Sequence, residues 1–127
     1  MPEAEPRHPR FWRFYRTASG ACPVREYLDG LTSADRAAIQ VRMEQVRARG
    51  LEAARHVRGE IYEVRIAHDQ RQFRALFATE GRYSQVLLAV EAFTKKTRKT
   101  PQDKIELAEQ RLRDHRARGN DADQAAP

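Results

Sequence analysis

The middle of the chain alternates apolar and polar residues, a pattern typical of antiparallel strands with one buried face. Three strands are predicted over residues 61–66, 71–78 and 86–92, after a turn at residues 57–60 and with hairpin loops between them. One face of the first two strands is apolar and comprises Tyr62, Val64, Ile66, Phe73, Ala75 and Phe77. Arg65 and Arg74 fall on the opposite face. Residues 86–90 are apolar without a break, which indicates a central strand.

Two helices are predicted before these strands, after a short aromatic strand at residues 11–15. Pro23 suits the first turn of a helix that runs to about Leu31. Its apolar residues recur at helical spacing and are Val24, Tyr27, Leu28 and Leu31. Thr32 or Ser33 caps a second helix, which ends at Gly50. The predicted buried side of this second helix comprises Ile39, Met43 and Val46.

A third helix is predicted near the C-terminus, with Thr100 as its cap and Pro101 at its first position. Its apolar stripe is modest and its other faces are densely charged, which predicts light packing or contact with a partner. Residues 1–10 are predicted to be a flexible tail and residues 117–127 a disordered one. One domain is therefore expected over residues 11–116.

This order of elements predicts an α+β fold with two layers. A mostly antiparallel sheet of about four strands carries the two N-terminal helices on one face, and a C-terminal helix follows the last strand. The other face of the sheet is expected to stay open. Arg65 and Arg74 are expected to point toward that open face from adjacent strands.

The charge of the chain narrows the class of partner. The 127 residues have a formal net charge of +6. Residues 11–116 alone contain 21 Lys and Arg against 14 Asp and Glu. The positive excess therefore belongs to the predicted domain, and it suits a partner rich in phosphate or an acidic protein.

Residue types exclude several chemistries. The single cysteine, Cys22, allows no internal disulfide, which favours a reducing compartment. The scattered histidines give no pattern of zinc ligands, and no common catalytic signature is present. No apolar run reaches the roughly 18 residues of a membrane span, and the first residues lack the features of a signal peptide. A cytoplasmic protein without a membrane partner is expected.

Positive charge is concentrated where the last strand meets the last helix. Four of the five residues from Lys95 to Lys99 are cations. A basic loop beside a helix N-terminus offers a site for phosphate. A short basic run is as often a solvated loop, so the run alone leaves both interpretations open.

Three segments together resemble the HigB branch of the RelE-type toxins, which is often described as phage-derived toxin-like. They are Gly59-Glu-Ile-Tyr-Glu-Val-Arg65, Phe73-Arg74-Ala-Leu-Phe77 and Phe93-Thr-Lys-Lys-Thr-Arg-Lys-Thr-Pro101. The resemblance covers about residues 11–116, and the last segment is the most specific. It implies the toxin of a type II toxin–antitoxin system, an endoribonuclease that cleaves messenger RNA, usually on the ribosome, without metal or other cofactor. It also implies neutralisation by a cognate antitoxin, usually a helix-turn-helix protein of the HigA type.

The resemblance also implies where the site lies. Arg65 and Arg74 match arginines on the family's sheet, and Lys95 and Lys99 match lysines of its strand–helix junction. These four residues are the predicted catalytic residues. The predicted RNA-binding residues are Lys96 and Arg98.

The chemistry of metal-free RNA cleavage fits these residue types. The neighbouring 2′-OH attacks phosphorus, so one group must accept its proton, another must stabilise charge on phosphorus, and a third must protonate the leaving oxygen. Arginine suits the second task because it stays charged and holds phosphate with a fork. We assign that task to Arg65 and Arg74. A lysine crowded by cations loses its proton more easily, which makes Lys95 or Lys99 a candidate acid or base.

Three other side chains are open to two interpretations. Glu63 and Glu91 are alternatives as the base, although strand carboxylates beside arginines are usually their partners. His68 is expected to be a surface residue of a hairpin. Arg65 and Arg74 themselves have a structural alternative, since strand arginines often cover an open sheet face and pair with acids.

Two other functions stay open from the residues alone. One is a non-catalytic module of the same fold that binds nucleic acid or antitoxin through the same basic side chains. The other is an interaction subunit whose charged helices bind an acidic protein. A competent acid–base pair would separate the nuclease from both.

Overall fold

The computed structural model of the protein describes residues 8–96 and 99–125, and for residues 120–125 only the helical backbone. Within these ranges the elements are β1 (Phe11–Phe14), α1 (Pro23–Asp29), α2 (Ser33–Arg49), a 3₁₀ helix (Gly50–Ala53), β2 (Arg55–Arg58), β3 (Ile61–His68), β4 (Arg71–Glu80), β5 (Val86–Lys95) and α3 (Gln102–Ala125). Most of the predicted N-terminal tail, the last two residues and Arg98 lie outside the described residues. None of the described helices has an apolar stretch long enough to span a bilayer.

The strands of the described chain form one mixed five-stranded sheet in the order β1-β5-β4-β3-β2. β1 is parallel to β5, and all other neighbours are antiparallel. The predicted α+β class is confirmed, but the prediction of about four strands is one too few. The additional strand, β2, takes up half of the turn expected at residues 57–60. Its sequence, Arg-His-Val-Arg, has no apolar alternation that would reveal a strand.

The two N-terminal helices cover one face of the sheet, as predicted. Thr32 caps α2 by accepting a hydrogen bond from the backbone N–H of Asp35 over 3.2 Å. Gly50 ends the helix at a φ of +77°, a conformation that glycine adopts without strain. Five of the six strand residues predicted for the core beneath these helices are buried there, and Tyr62 is only partly buried against it. The five are Val64, Ile66, Phe73, Ala75 and Phe77.

The second face of the sheet is not open. α3 packs across it and buries Ile105, Ala108 and Leu112 against a second apolar cluster from β3, β4 and β5. The fold therefore has three layers where two were expected, and the prediction of light packing for this helix is wrong. The reason is that the strands also carry apolar residues on this face, and these need a cover. They include Ile61, Leu76, Leu88 and Val90.

Ion pairs fix α3 to the edge strand β2, to the start of β3 and to the end of β4. Arg58 of β2 lies 2.6 Å from Glu109, and Arg116 bridges Glu60 and Glu80 at 2.6 and 2.9 Å. The helix continues to Ala125, past the boundary expected at residue 116. Its dense charge, which suggested an exposed helix, thus supplies partners for the strands beneath it.

A β-bulge in β5 decides which face its last residues occupy. Leu76 pairs with Glu91, whereas the next residue, Phe77, pairs with Ala89, so Val90 is the extra residue. Val90 and Phe93 both pack in the α3 cluster although they are three positions apart. Lys95 follows Phe93 by two residues and therefore shares its face. The bulge brings Lys95 to the side of the sheet that carries Arg74.

Candidate active site

A cleft of about 500 Å³ opens between β2, β3, β4 and the start of α3, at the part of the sheet that α3 leaves uncovered. Its charged and polar lining comprises Arg55, His56, Glu63, Arg65, Gln72, Arg74, Lys99 and Thr100. Among these lining residues, which all lie in the described ranges, four are cations and one is a carboxylate. A concave surface with this balance of charge attracts anions.

The carboxylate of Glu63 lies at the centre of the cationic groups. Its side chain is 2% exposed. Arg65 Nε donates to Oε1 over 2.7 Å, and Arg74 Nε lies 3.9 Å from Oε2. Thr100, at the end of the basic loop, donates its hydroxyl to Oε2 over 2.5 Å. One buried carboxylate thus contacts two strands and the β5–α3 junction.

The pKa of Glu63 reflects this environment. Burial raises the pKa of the carboxyl, but the hydrogen bonds from Thr100 and Arg65 and the charges of Arg65 and Arg74 together bring it below its ordinary value. Glu63 is therefore ionised near neutral pH and balances part of the surrounding positive charge.

Arg74 is a buried cation, 5% exposed. Its Nη1 donates to the carbonyl oxygen of Phe73 over 3.0 Å and its Nη2 to Oε1 of Gln72 over 3.2 Å. Among the described residues, its Nε has no hydrogen-bond partner. Burial lowers the pKa of Arg74, Glu63 raises it, and the charges of Arg65 and Arg55 lower it further. Arg74 therefore keeps its positive charge, and its two hydrogen bonds, to a carbonyl oxygen and an amide oxygen, do not neutralise that charge.

Lys95 is the last residue of β5 and lies opposite Gln72 of β4. It is 6% exposed, and within the described part of the chain its Nζ has no hydrogen-bond partner. Burial lowers the pKa of Lys95, and the charges of Arg74, Arg65 and Arg55 lower it further, whereas Glu63 raises it. The ammonium form is therefore harder to keep here than in water.

The structure thus brings the predicted catalytic residues together. Arg65, Arg74 and Lys99 line the cleft, and Lys95 lies buried beside them within electrostatic range. Lys96, a predicted RNA contact, is exposed and does not line the cleft. The other predicted RNA contact, Arg98, lies outside the described residues.

Sequence comparison covers the whole of this site. A family model described as "Phage derived protein Gp49-like (DUF891)" matches residues 26–113, which include every residue of the cleft. The chain belongs to this family. The predicted resemblance to HigB-type toxins is confirmed by two relatives. Each is named "Probable endoribonuclease HigB1", from the Mycobacterium tuberculosis strains CDC 1551 / Oshkosh and ATCC 25618 / H37Rv.

These relatives align with nearly the whole chain. Each is 35% identical over 111 residues, which are 85% of this chain and 86% of the relative. The similarity therefore includes the core on both faces of the sheet as well as the cleft of this Gp49-like protein.

Two of the side chains with open interpretations have structural partners. Glu91 lies 3.3 Å from Lys104 Nζ and 3.4 Å from Arg111 Nη1, both on α3, and it does not line the cleft. His68 is half-exposed, and its Nδ1 lies 2.8 Å from Asp35 Oδ1. Arg71 holds the same carboxylate at 3.0 Å and, with His68, lowers the pKa of Asp35 to about 2. This group ties the β3–β4 hairpin to α2.

Sequence reasoning missed the contribution of β2 to the site. Arg55 and His56 line the cleft from this strand, and Arg55 pairs in register with Glu63. His56 Nε2 lies 2.8 Å from the carbonyl oxygen of Gly59. Because a carbonyl oxygen only accepts, Nε2 carries the proton, and Nδ1 keeps a lone pair in the neutral ring. The signal was a histidine three residues before the Gly59–Arg65 segment, at a position that was predicted to be a loop.

The arrangement can bind an anion and stabilise added negative charge. The donors belong to strands and to a helix junction, so they are held in place before a ligand arrives. Within the described residues, no three side chains of His, Cys, Asp and Glu converge in a way that holds a metal ion. Among the described residues, the groups available for proton transfer beside the cleft are His56, Lys95, Lys99 and Glu63.

Proposed function

We propose that this Gp49-like protein is the toxin of a type II toxin–antitoxin system and cleaves messenger RNA as an endoribonuclease without a metal ion. Cleavage of translated messages, usually on the ribosome, stops translation and growth. Because the catalytic groups belong to this protein, free RNA is cleaved as well. The protein acts in the cytoplasm. The two HigB1 relatives, each named a probable endoribonuclease, support this reaction class.

The observation that carries the proposal is the cationic cleft around Glu63. Arg65, Arg74 and Lys99 line it, and Lys95 is buried beside them. A surface patch that only attracted RNA would keep its cations in water, where charge costs little. Arg74 and Lys95 are instead 5% and 6% exposed. Holding cations in a poorly solvated site is costly, and it is typical of groups that stabilise charge in a transition state.

The reaction assigned to the site is an intramolecular displacement. The 2′-oxygen forms a bond to the adjacent phosphorus, and the bond from phosphorus to the 5′-oxygen breaks. The products are a 2′,3′-cyclic phosphate and a 5′-hydroxyl. Arg65 and Arg74 stabilise the charge that develops on the phosphoryl oxygens.

Proton transfer falls to the side chains on either side of these arginines. Imidazole is the general base that enzymes use most often, and His56 presents Nδ1 as an acceptor. Lys95 is the second candidate, because burial and the charges of Arg74 and Arg65 lower its pKa and so make the neutral amine easier to form. We assign protonation of the leaving 5′-oxygen to Lys99, which is exposed and lines the cleft.

Induction of the gene in a host cell tests the function. Growth should stop, and sequencing of messenger RNA 5′ ends should show new ends inside coding regions. Induction of Arg74→Ala should give neither effect. Growth arrest without new 5′ ends would favour a binding protein over a nuclease.

A cognate antitoxin should bind the protein and keep it inactive. The surplus of positive charge favours an acidic partner surface, and a helix-turn-helix protein of the HigA type is the partner expected. Co-expression with the adjacent gene should yield a complex that weakens with salt, because screening reduces charge–charge attraction. Failure to bind any adjacently encoded protein would contradict the toxin assignment.

A further inference from the structure

Thr100 ends the basic loop, and its hydroxyl bonds to the sheet. Oγ1 donates to Glu63 Oε2 over 2.5 Å. The carbonyl oxygen of Pro101 accepts the first hydrogen bonds of α3, from the backbone N–H groups of Lys104 and Ile105 over 3.1 and 3.2 Å. A helix-capping role was predicted for Thr100, whereas the contact that its hydroxyl makes is to a buried carboxylate on β3.

This contact affects how Glu63 shares its two oxygens. Arg65 Nε donates a hydrogen bond to Oε1 over 2.7 Å, and the Thr100 hydroxyl donates one to Oε2. Arg74 Nε lies 3.9 Å from Oε2, beyond hydrogen-bonding distance, and has no hydrogen-bond partner among the described residues. The hydroxyl therefore satisfies one acceptor position on Oε2, the oxygen that lies 3.9 Å from Arg74 Nε.

The same contact fixes one end of the basic loop. Lys95 holds the other end, because it belongs to β5 and pairs with Gln72. Pro101 follows Thr100 directly, and its ring restricts the backbone at the entry to α3. Lys99 is bonded to Thr100 along the chain and lines the cleft. Its position depends on where Thr100 is held.

We propose that Thr100 is a positioning residue of the site: its hydroxyl holds the Glu63 carboxylate away from a full ion pair with Arg74 and holds Lys99 at the cleft. This inference rests on the proposed ribonuclease function. Thr100 acts through Glu63 and Lys99 and makes no contact with the reacting phosphate.

Loss of the hydroxyl has two physical consequences. Oε2 becomes available to Arg74, and closer pairing reduces the positive charge that Arg74 directs at a phosphate. The pKa of Glu63 is affected in two opposite directions, because loss of the bond from Thr100 raises it and closer pairing with Arg74 lowers it. Among the described residues, the cations that surround this carboxyl are Arg55 of β2, Arg65 of β3, Arg74 of β4, Lys95 of β5 and Lys99 before α3.

The test compares Thr100→Val, which keeps the shape of the side chain, with Thr100→Ser, which keeps the hydroxyl. The matched control is Thr94→Val. Thr94 lies near the end of β5, and its hydroxyl forms a hydrogen bond with Tyr27 over 2.7 Å on the face of the sheet opposite the cleft. Rates are measured on an RNA oligonucleotide across pH. Thr100→Val should lower kcat about 10- to 100-fold, the loss expected for a hydrogen bond to a charged group. KM should change little, because Thr100 acts through Glu63 and Lys99 and not on the substrate.

Thr100→Ser and Thr94→Val should both match the wild type in kcat and pH profile. Equal kcat in Thr100→Val and the wild type would overturn the proposal, and so would a Thr100→Ser variant as slow as Thr100→Val. If Thr100→Val does not fold, Thr100→Ala removes the same hydroxyl with less steric demand and is judged by the same criteria.

A second measurement separates this inference from the proposed function. If the wild-type protein cleaves no RNA, the proposed ribonuclease function is refuted, but the contact between Thr100 and Glu63 is not. The distance from Arg74 Nε to Glu63 Oε2, measured in crystal structures of the wild type and of Thr100→Ala, tests the contact directly. A distance within hydrogen-bonding range in the variant supports the positioning role, and a distance unchanged from 3.9 Å overturns it.

Discussion

Arg65 and Arg74 lie directly opposite each other on adjacent antiparallel strands, and the carboxylate of Glu63 lies between their guanidinium groups and the basic loop. Like charges at opposed positions of a sheet destabilise it. Glu63 offsets that repulsion at 2.7 Å from one arginine and 3.9 Å from the other. The cationic site therefore depends on one buried acid.

Glu63→Gln should lower the free energy of unfolding by about 3 kcal/mol at pH 7, because two close cations lose their buried counter-charge. The folded-state pKa of Glu63 is lowered, so its contribution is present above the unfolded pKa, near 4.3, and disappears as pH falls through the folded value. The difference from the wild type should therefore shrink in acid. Denaturant titrations at pH 7 and pH 3 measure both effects.

The control for Glu63→Gln is Glu60→Gln. Glu60 pairs with Arg116 at 2.6 Å but on the surface, where its side chain is 63% exposed. Exposed pairs contribute about 0–1 kcal/mol, so this change should be small. A loss as large as that of Glu63→Gln would mean that the position of Glu63 among the arginines is not the cause.

Lys95→Met should stabilise the protein and abolish cleavage. The buried Nζ has no hydrogen-bond partner among the described residues, and methionine of similar length removes that penalty, about 1–3 kcal/mol. The folded-state pKa of Lys95 is lowered, so wild-type stability should rise with pH between that value and about 10.4, and the variant should lack this slope. Lys96→Met, at the exposed neighbour, should change stability by less than about 0.5 kcal/mol. A less stable Lys95→Met protein would show that the ammonium is satisfied.

His56→Gln should lower kcat about 10²- to 10⁴-fold, the usual contribution of a general base. Glutamine retains an N–H that can donate to the Gly59 carbonyl, so the change removes a proton acceptor and keeps the local contact. His8→Gln is the matched control, because His8 stacks on the exposed ring of Tyr83. A His56→Gln variant with wild-type kcat would transfer the role of base to Lys95.

Alternation along the strands was sufficient to predict which residues face the N-terminal helices. The same alternation placed Arg65 and Arg74 on one surface, and their register is the one observed. It did not predict the face of Lys95, because the extra residue Val90 reverses the phase of β5 after Ala89. A bulge of one residue cannot be recognised in the sequence of a strand that is apolar on both faces, because there is no alternation for it to interrupt.

Two other features also depend on tertiary contacts and not on local pattern. β2 is short and polar, and it forms because it pairs with β3, so His56 and Arg55 were not recognised as part of the site. The apolar residues of α3 were identified correctly, but their count suggested a loosely packed helix. Its arginines and acids pair with strands that are distant in sequence, which periodicity within the helix cannot reveal.

The measurement that tests the central claim most directly is cleavage of an RNA oligonucleotide by the purified protein in EDTA. Arg74→Ala is compared with Arg82→Ala, which removes the same charge from an exposed arginine beside Tyr83. The wild type and Arg82→Ala should cleave equally and leave a 2′,3′-cyclic phosphate. Arg74→Ala should be slower by about 10²- to 10³-fold while its affinity for RNA falls far less, as expected for a contact that matters in the transition state. Equal cleavage by the two variants, or a wild-type protein that requires magnesium for the cleavage step, would contradict the account.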